Sequence, residues 1–370
     1  MTAEPFAAAV PDEDLRDLRD RLCRTRWPLT LESAGWARGV PVAYLRDLVG
    51  HWVDGYDWHR VQARLDTVDQ VRTQLDGQTI HALHARSARP DALPLVLTHG
   101  WPGSVLEYVD LLGPLTAAGP DAFHVVVPHL PGVGWSAPLS GEGWDHRRVA
   151  RAWAALMASL GYDRYGAAGG DTGSVVSPEL GRVAPQHVVG VHVHGNLDVP
   201  QVDPASLTAA EAERLVWAQH RRVTDTGYAA LQSTRPHTIG YALADSPVAQ
   251  LAWIVDKFHD WTDPAVPDPA HAVGRDHLLD LATLLWVTGT GPTSAHLYYE
   301  NRVATVPERG PDVVPFGHAL FPTDPAIRHV DQREHRLVHW TEHERGGHFA
   351  ALEAPDLLVE DLRTFFRPLR

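Results

Sequence analysis

Gly169-Gly170-Asp171-Thr172-Gly173 follows a short run over 165–168 that reads as a strand, and it precedes a stretch with helical character. The spacing small-x-acid-x-small is that of a sharp strand-to-helix turn, which displays its central side chain at the edge of a sheet. Such a turn is so tight that its flanking positions must lack bulky side chains, and Gly169 and Gly173 meet that demand. Aspartate stands where turns of this kind usually carry serine. A carboxylate at a helix N-terminus is held in its charged form by the helix dipole, so Asp171 needs no base to be nucleophilic at neutral pH. Alone, the same five residues also fit a glycine-rich turn with Asp171 as a helix N-cap.

The neighbouring sequence favours the first reading. Short apolar runs over 93–97, 123–127, 165–168 and 188–193 suit strands buried on both faces of a parallel sheet. Helical stretches such as 146–160 separate them, and the alternation predicts an α/β fold. Upstream, 71–75 and 80–85 flank Asp76-Gly77, a hairpin signal. Residues 1–70 are helical and irregular, with Leu15, Leu18 and Leu22 on one face of a first helix and Tyr44, Leu45 and Leu48 on one face of a second. This segment is expected to wrap over the rest of the chain. The alternation stops after Asn196, and a helix-rich, Trp-rich block fills 201–283. Strand-like runs return over 312–316 and 336–341, followed by a final helix over 356–366. The expected organisation is an N-terminal meander (1–70), a first core part (71–200), a helical cap (201–283) and a second core part (284–370).

Two further loops carry chemistry. His99-Gly100-Trp101-Pro102-Gly103-Ser104 follows the strand over 93–97 directly. In hydrolases built on this architecture that loop supplies a backbone N–H to the oxyanion hole, and the residue after the nucleophile supplies the second. Trp101 and Thr172 are the expected donors. Arg345-Gly346-Gly347-His348-Phe349 lies after the last strand, where the chain order nucleophile, acid, histidine places a base, so His348 is the expected one. The acid that fixes its tautomer is expected at Asp324, just after the strand over 312–316, with Asp198, after the strand over 188–193, as the competitor. His192 and His194 share one face of a strand, but no companion ligand stands at diagnostic spacing, so no metal and no cofactor are expected.

Composition excludes several classes. The chain has 370 residues, 44% of them hydrophobic and 21% charged, enough to bury a sizeable core. It carries 46 acidic and 32 basic residues, a net charge of −14. That sign disfavours general binding to nucleic acid or to an anionic membrane surface. Cys23 is the only cysteine, so neither an intrachain disulfide nor a cysteine zinc cage can form. No apolar run reaches the ~18 residues of a membrane span, and the N-terminus lacks the basic region of a signal peptide. A cytoplasmic protein without a membrane anchor is expected. Lys257 is the single lysine, and the Arg, Ala, Gly and Pro bias points to a GC-rich, bacterial coding sequence.

Together the aspartate elbow, the His-Gly-Trp-Pro loop and the Gly-Gly-His-Phe loop resemble the α/β-hydrolase-fold epoxide hydrolases, in particular the microsomal-type branch that includes juvenile hormone epoxide hydrolases. The likeness covers nearly the whole chain. It includes the meander stretches 24–28 and 52–58, and Pro131-Gly132-Val133-Gly134-Trp135-Ser136 after the strand over 123–127. The resemblance implies two tyrosines that grip the epoxide oxygen from the cap region. By position they are Tyr228, in Gly227-Tyr228, and Tyr298, in Tyr298-Tyr299-Glu300-Asn301, with Tyr299 the neighbour open to confusion. Thr172 departs from the family's usual tryptophan after the nucleophile, and Asp324 stands where many members have glutamate. The hydrophobic N-terminal anchor of the microsomal forms is absent from the sequence.

The resemblance implies conversion of an apolar or aromatic epoxide to a vicinal diol through an ester on Asp171, cleaved by water that His348 and Asp324 activate. A haloalkane dehalogenase using the same aspartate is the alternative chemistry, and a hydrolase-fold binding protein without chemistry is the alternative class. The tyrosine pair favours an alkoxide leaving group over a halide. The presence of Asp171, Asp324 and His348 together argues against decay. The expected partners are a small-molecule epoxide and, at most, a second copy of the chain as a homodimer.

Overall fold

A computed structural model describes residues 3–196, 199–305 and 312–370. Nine strands form one sheet: β1 (Glu4–Pro5), β2 (Asp69–Leu75), β3 (Gln78–Ala85), β4 (Leu93–Thr98), β5 (Phe123–Pro128), β6 (Tyr165–Gly170), β7 (Val188–His194), β8 (Pro315–Leu320) and β9 (Arg336–Glu342). Their order is β1-β2-β3-β5-β4-β6-β7-β8-β9. The first three strands and the β3–β5 pairing are antiparallel, and every pairing from β5 through β9 is parallel. This is the α/β-hydrolase arrangement expected from the alternating runs. β5 and β6 are buried along their whole length, which is why their sequences read as unbroken apolar or small residues rather than as alternation. The β2–β3 turn is Asp76-Gly77, both at positive φ (50° and 78°), as a tight two-residue hairpin turn requires.

Strand β8 differs from the expected 312–316. It begins at Pro315 and runs to Leu320, and Asp312 instead accepts from Arg182 and His335 outside the sheet. Gly317 and His318 interrupt the apolar pattern of the true strand, which displaced its apparent start.

Helices fill the chain between β7 and β8. They include Ala209–Thr224, Gly227–Thr234, Pro236–Asp245, Pro247–Trp261, Arg275–Val287 and His296–Val303, so helical chain continues past 283. The helix Ala209–Thr224 opens with a capping box, Thr208 with Glu211. Helix Pro247–Trp261 buries Leu251, Ile254, Val255, Phe258 and Trp261 against Leu278, Leu281 and Leu285. The N-terminal helices Asp12–Cys23 and Val42–Asp54 add Leu18, Leu22, Leu45, Leu48 and Trp52 to the same cluster. Polar contacts fix that docking. Trp52 Nε1 donates to Thr283 Oγ1 at 2.9 Å, and Tyr56 Oη and Arg60 both donate to Asp280, at 2.8 and 2.6 Å. Among the described residues no helix is long and apolar enough to cross a membrane.

Parallel strands β4 and β6 are neighbours, and both end at the same edge of the sheet. The loops that leave them, 99–104 and the turn at Asp171, therefore meet where ligands of open α/β sheets bind.

Candidate active site

Asp171 lies between β6 and the helix Thr172–Val183 with φ 51° and ψ −120°. A non-glycine residue there is strained, and surrounding structure must over-determine it. The flanking glycines show how. A Cβ on Gly173 would lie 2.0 Å from Thr98 O, and one on Gly169 would lie 2.4 Å from the same oxygen. The oxyanion loop is equally close, since a Cβ on Gly100 would lie 2.2 Å from Asp171 Cβ. The carboxylate is thereby delivered onto the loop. Trp101 N–H donates to Asp171 Oδ1 at 2.9 Å, and Thr172 Oγ1 donates to the same oxygen at 3.0 Å.

The other carboxylate oxygen faces the base: His348 Nε2 is 3.4 Å from Asp171 Oδ2. Burial pushes the Asp171 carboxyl up, but the hydrogen bond and charge of His348, with the backbone N–H groups of Trp101 and Thr172, outweigh it and hold the group below its ordinary value. Asp171 is thus held as an ionised carboxylate although it is largely shielded from water.

His348 is positioned by the cap. Its N–H donates to Trp261 O at 2.9 Å, and its ring meets the Trp261 ring edge-on at 4.9 Å. Gly347 is needed because a Cβ there would lie 2.6 Å from Asp263 N. Gly346 N–H donates to Asp263 Oδ2 at 2.8 Å, and Glu353 accepts from both Asp263 N–H and Phe349 N–H.

The acid position is more involved. Asp324 is buried, and its Oδ2 accepts from Asn196 N–H at 3.2 Å and meets His318 Nε2 at 3.1 Å, while Oδ1 accepts from Ala326 N–H. No oxygen of Asp324 comes within 4.0 Å of either ring nitrogen of His348. His348 Nδ1 is buried and has no hydrogen-bond partner among the described residues. A Cβ on Gly195 would lie 3.4 Å from that nitrogen, so the chain next to Asn196 runs behind it. Burial pulls His318 down, but Asp324 and Asp331 overcome this and raise it to about 10. His318 is therefore an imidazolium that balances Asp324. Asp198 lies outside the described residues.

The two cap tyrosines converge on the same place. The Tyr228 ring stacks on Trp101 with centroids 5.0 Å apart and planes 6° apart. Tyr298 meets Trp101 edge-on at 5.8 Å and Tyr228 edge-on at 5.7 Å. Burial, and then the charge of Asp171, raise the Tyr228 phenol well above its usual range, partly offset by a hydrogen bond with Tyr298. Tyr228 thus stays a proton donor. Tyr299, the confusable neighbour, is 39% exposed.

Sequence reading missed the support under this aromatic wall. Trp261 Nε1 donates to Asp225 Oδ2 at 2.8 Å. Lys257, 4% exposed, pairs with Asp225, Asp256 and Asp260 and lies 5.2 Å from the centre of the Tyr228 ring. A lone lysine flanked by Asp256 and Asp260 among the apolar residues of this helix was the available signal. Trp101 Nε1 donates to Ser294 Oγ at 3.3 Å.

The chain's sequence and fold have counterparts among known proteins. Residues 3–108 match the family model described as epoxide hydrolase N terminus, and residues 94–260 match that of the alpha/beta hydrolase fold. "Epoxide hydrolase 1" of Sus scrofa is 30% identical over 98% of this chain and 88% of its own length. The chain belongs to the epoxide hydrolases. A Stigmatella aurantiaca relative named "Putative epoxide hydrolase" is 44% identical over 99% of this epoxide hydrolase and 85% of its own length. The solved Aspergillus niger epoxide hydrolase superposes with a TM-score of 0.88 at 33% identity, covering 100% of this chain and 97% of that one. The juvenile hormone epoxide hydrolase of the silkworm Bombyx mori gives 0.85 at 26% identity, covering 100% and 94%.

A second polar cluster lies away from the reacting groups of this hydrolase. His192 on β7, Gly317 on β8 and His339 on β9 are in register, and the Phe365 ring packs where Gly317 has no side chain. Asp361, from the helix Pro355–Phe366, meets His192 Nε2 at 2.8 Å and His339 Nε2 at 2.7 Å, with His343 Nε2 3.2 Å from its other oxygen. His192, His339 and Asp361 offer three ligand atoms within 4.8 Å of one another, so they are the described residues that could hold a cation. As it stands, each nitrogen is spent on Asp361. His194, the other histidine of the sequence pair, is not among those three.

Proposed function

We propose that this epoxide hydrolase opens apolar or aromatic epoxides through a covalent ester on Asp171. The observation that carries the reading is one carboxylate held between Trp101 N–H and His348 Nε2, with the Tyr228–Tyr298 pair packed on the Trp101 ring. The two oxygens of Asp171 divide the work. Oδ1 already sits against the donors of the oxyanion loop, whereas Oδ2 faces His348 and is the attacking atom. Attack of Oδ2 on a ring carbon breaks the C–O bond of the epoxide, and the alkoxide takes a proton from the tyrosine pair. Water then attacks Asp171 Cγ while His348 Nε2 accepts its proton. Oδ1 carries the tetrahedral oxyanion toward Trp101 N–H and Thr172 N–H, and collapse releases the diol with Oδ2 in it. His348 returns its proton to the departing alkoxide, the second proton of the water leaves the regenerated Asp171 carboxyl and restores the phenol, and the net change is epoxide plus water to diol. Asp324 is the proposed acid of the base, acting from the Nδ1 side of His348 through Asn196 and Gly195. The wall of Trp101, Trp261, Tyr228 and Tyr298 supports an apolar or aromatic substrate, since such rings bury large area at low entropic cost. Cys23, exposed and unpaired, suits a reducing cytoplasm.

Dehalogenation is disfavoured by one observation. A halide needs free indole N–H donors, but Trp101 Nε1 is engaged by Ser294 and Trp261 Nε1 by Asp225.

The test is a single turnover in heavy-oxygen water with enzyme in excess. The ester route gives unlabelled diol and a labelled Asp171 carboxylate. Direct attack of water on the epoxide gives labelled diol from the first event and overturns the route. In His348→Gln the ester should persist and add the mass of the epoxide to the protein.

A further inference from the structure

Glu107 is a buried carboxyl without a role in the route just proposed. It stands in a 3-10 turn, Val105–Tyr108, immediately after the oxyanion loop. It is 6% exposed, and its side chain makes no hydrogen bond with any described residue. A carboxyl removed from bulk water normally has partners, because leaving it bare costs about 1–3 kcal/mol or more. Its place is set by glycine: a Cβ on Gly103 would lie 2.6 Å from Glu107 Oε2 and 3.1 Å from Gly100 O. The carboxyl therefore lies over the same loop that presents Trp101 N–H to Asp171, on the side of the Gly100 carbonyl. The turn also packs against the short helix Ala350–Glu353, which starts two residues after His348. Glu107 is thus wedged between the oxyanion loop and the loop of the base.

We propose that Glu107 is a positioning residue for hydrolysis of the Asp171 ester, holding the water that His348 deprotonates. The proposal rests on the covalent route through Asp171. Water attacks Asp171 Cγ and gives its first proton to His348 Nε2; its second hydrogen, or a lone pair, needs a fixed partner if the oxygen is to point at Cγ. Glu107 Oε2 and the Gly100 carbonyl, both beside Gly103 on the loop that presents Trp101 N–H, are the polar groups proposed to supply it. Burial, and then the charge of Asp171, push the Glu107 carboxyl up to about 8. At neutral pH it is therefore a neutral acid, with one donor and one acceptor to offer a water, and it adds no charge against the developing oxyanion. Around it, Asp171, Tyr108, Glu353 on the neighbouring short helix, His124 on β5 and Asp110 on the helix Val109–Thr116 are the titratable groups of the packed elements.

The experiment separates the two half-reactions by rapid quench and intact mass, with styrene oxide as probe, for wild type, Glu107→Gln, Glu107→Ala and Glu107→Leu. Gln keeps a neutral donor and acceptor at the same reach, so it should hydrolyse the ester within about threefold of wild type. Ala and Leu should alkylate Asp171 at nearly the wild-type rate but cleave the ester about 100-fold more slowly, the scale expected for a misplaced reactant. Their ester should accumulate at steady state, with KM falling alongside kcat. Ala serves where Leu does not fold. Ester cleavage at the wild-type rate in Ala or Leu overturns the proposal. So does an equal loss in both half-reactions that Gln does not restore, since that is the mark of a merely structural residue. Absence of any ester in wild type and in His348→Gln instead strikes the covalent route and is read separately.

Discussion

Trp101 N–H donates to Asp171 Oδ1 at 2.9 Å, so in the proposed route the nucleophile would rest with one oxygen already on an oxyanion donor. The resting carboxylate, the alkyl ester and the tetrahedral intermediate can all use the same donor. Preorganisation of this kind does not have to be assembled as charge develops. It also leaves Oδ2, the oxygen beside His348, as the attacking atom of the proposed route.

That placement depends on absent side chains. Gly173→Ala puts a Cβ 2.0 Å from the Thr98 carbonyl, a backbone atom that cannot step aside. We expect a loss of roughly 3 kcal/mol or more of stability and at least about 100-fold of activity. Urea unfolding and diol formation read the two losses. A stable, active variant would show that the elbow is looser than its geometry.

The tyrosines should act at the first half-reaction. Tyr228→Phe and Tyr298→Phe should each lower kcat/KM by about 100-fold and leave ester cleavage little changed. The double variant should fall more than additively, since each single variant keeps one phenol to deliver the proton and the double variant keeps none. Tyr299→Phe, at a half-exposed position outside the aromatic wall, should match wild type. Stopped-flow quenching of tryptophan fluorescence on alkylation is the readout. Equal effects at 298 and 299 would sink the assignment.

Asp324 can be told apart from Asp198 by exchange to Asn. If Asp324 orients His348, Asp324→Asn should slow ester cleavage by about 100-fold or more and spare alkylation. Asp198→Asn should then remain within a few fold of wild type. The reverse pattern would assign the acid to Asp198 and leave Asp324 as the counter-ion of His318.

The His318 pairing has its own pH signature. Its folded-state value is raised to about 10 from an unfolded 6.5. A raised value means that folding takes up a proton, so the stabilisation is complete below about pH 6.5 and is lost as pH rises through about 10. Wild type should lose stability across that window. His318→Gln should be less stable near neutrality and show a flatter slope between pH 7 and 10. Chemical denaturation at several pH values measures it, and an unchanged slope would mean that His318 is neutral in the fold.

Much of this molecule was readable because the deciding features are local. The hairpin at Asp76-Gly77, the buried runs that became β4 to β7, and the glycine-flanked turn at Asp171 each follow from the steric needs of a few adjacent residues. So do the loops carrying Trp101 and His348, whose glycines sit where any Cβ would strike backbone or the nucleophile. The start of β8 was not readable, because Gly317 and His318 obey packing against Phe365 and pairing with Asp324 rather than strand alternation. Likewise no spacing announced that Asp361 would bridge His192 and His339, that Lys257 would be buried among three aspartates, or that Asp324 would pair with His318. Those outcomes are set by which charged groups a parallel sheet and its cap bring together across more than a hundred residues. Sequence alone pointed to Asp171, Trp101, Thr172 and His348 as the candidate reacting groups, since local backbone sterics shape the turn and loops that carry them. Only the tertiary structure decided their electrostatic partners, because a buried charge is satisfied by whatever the fold places beside it.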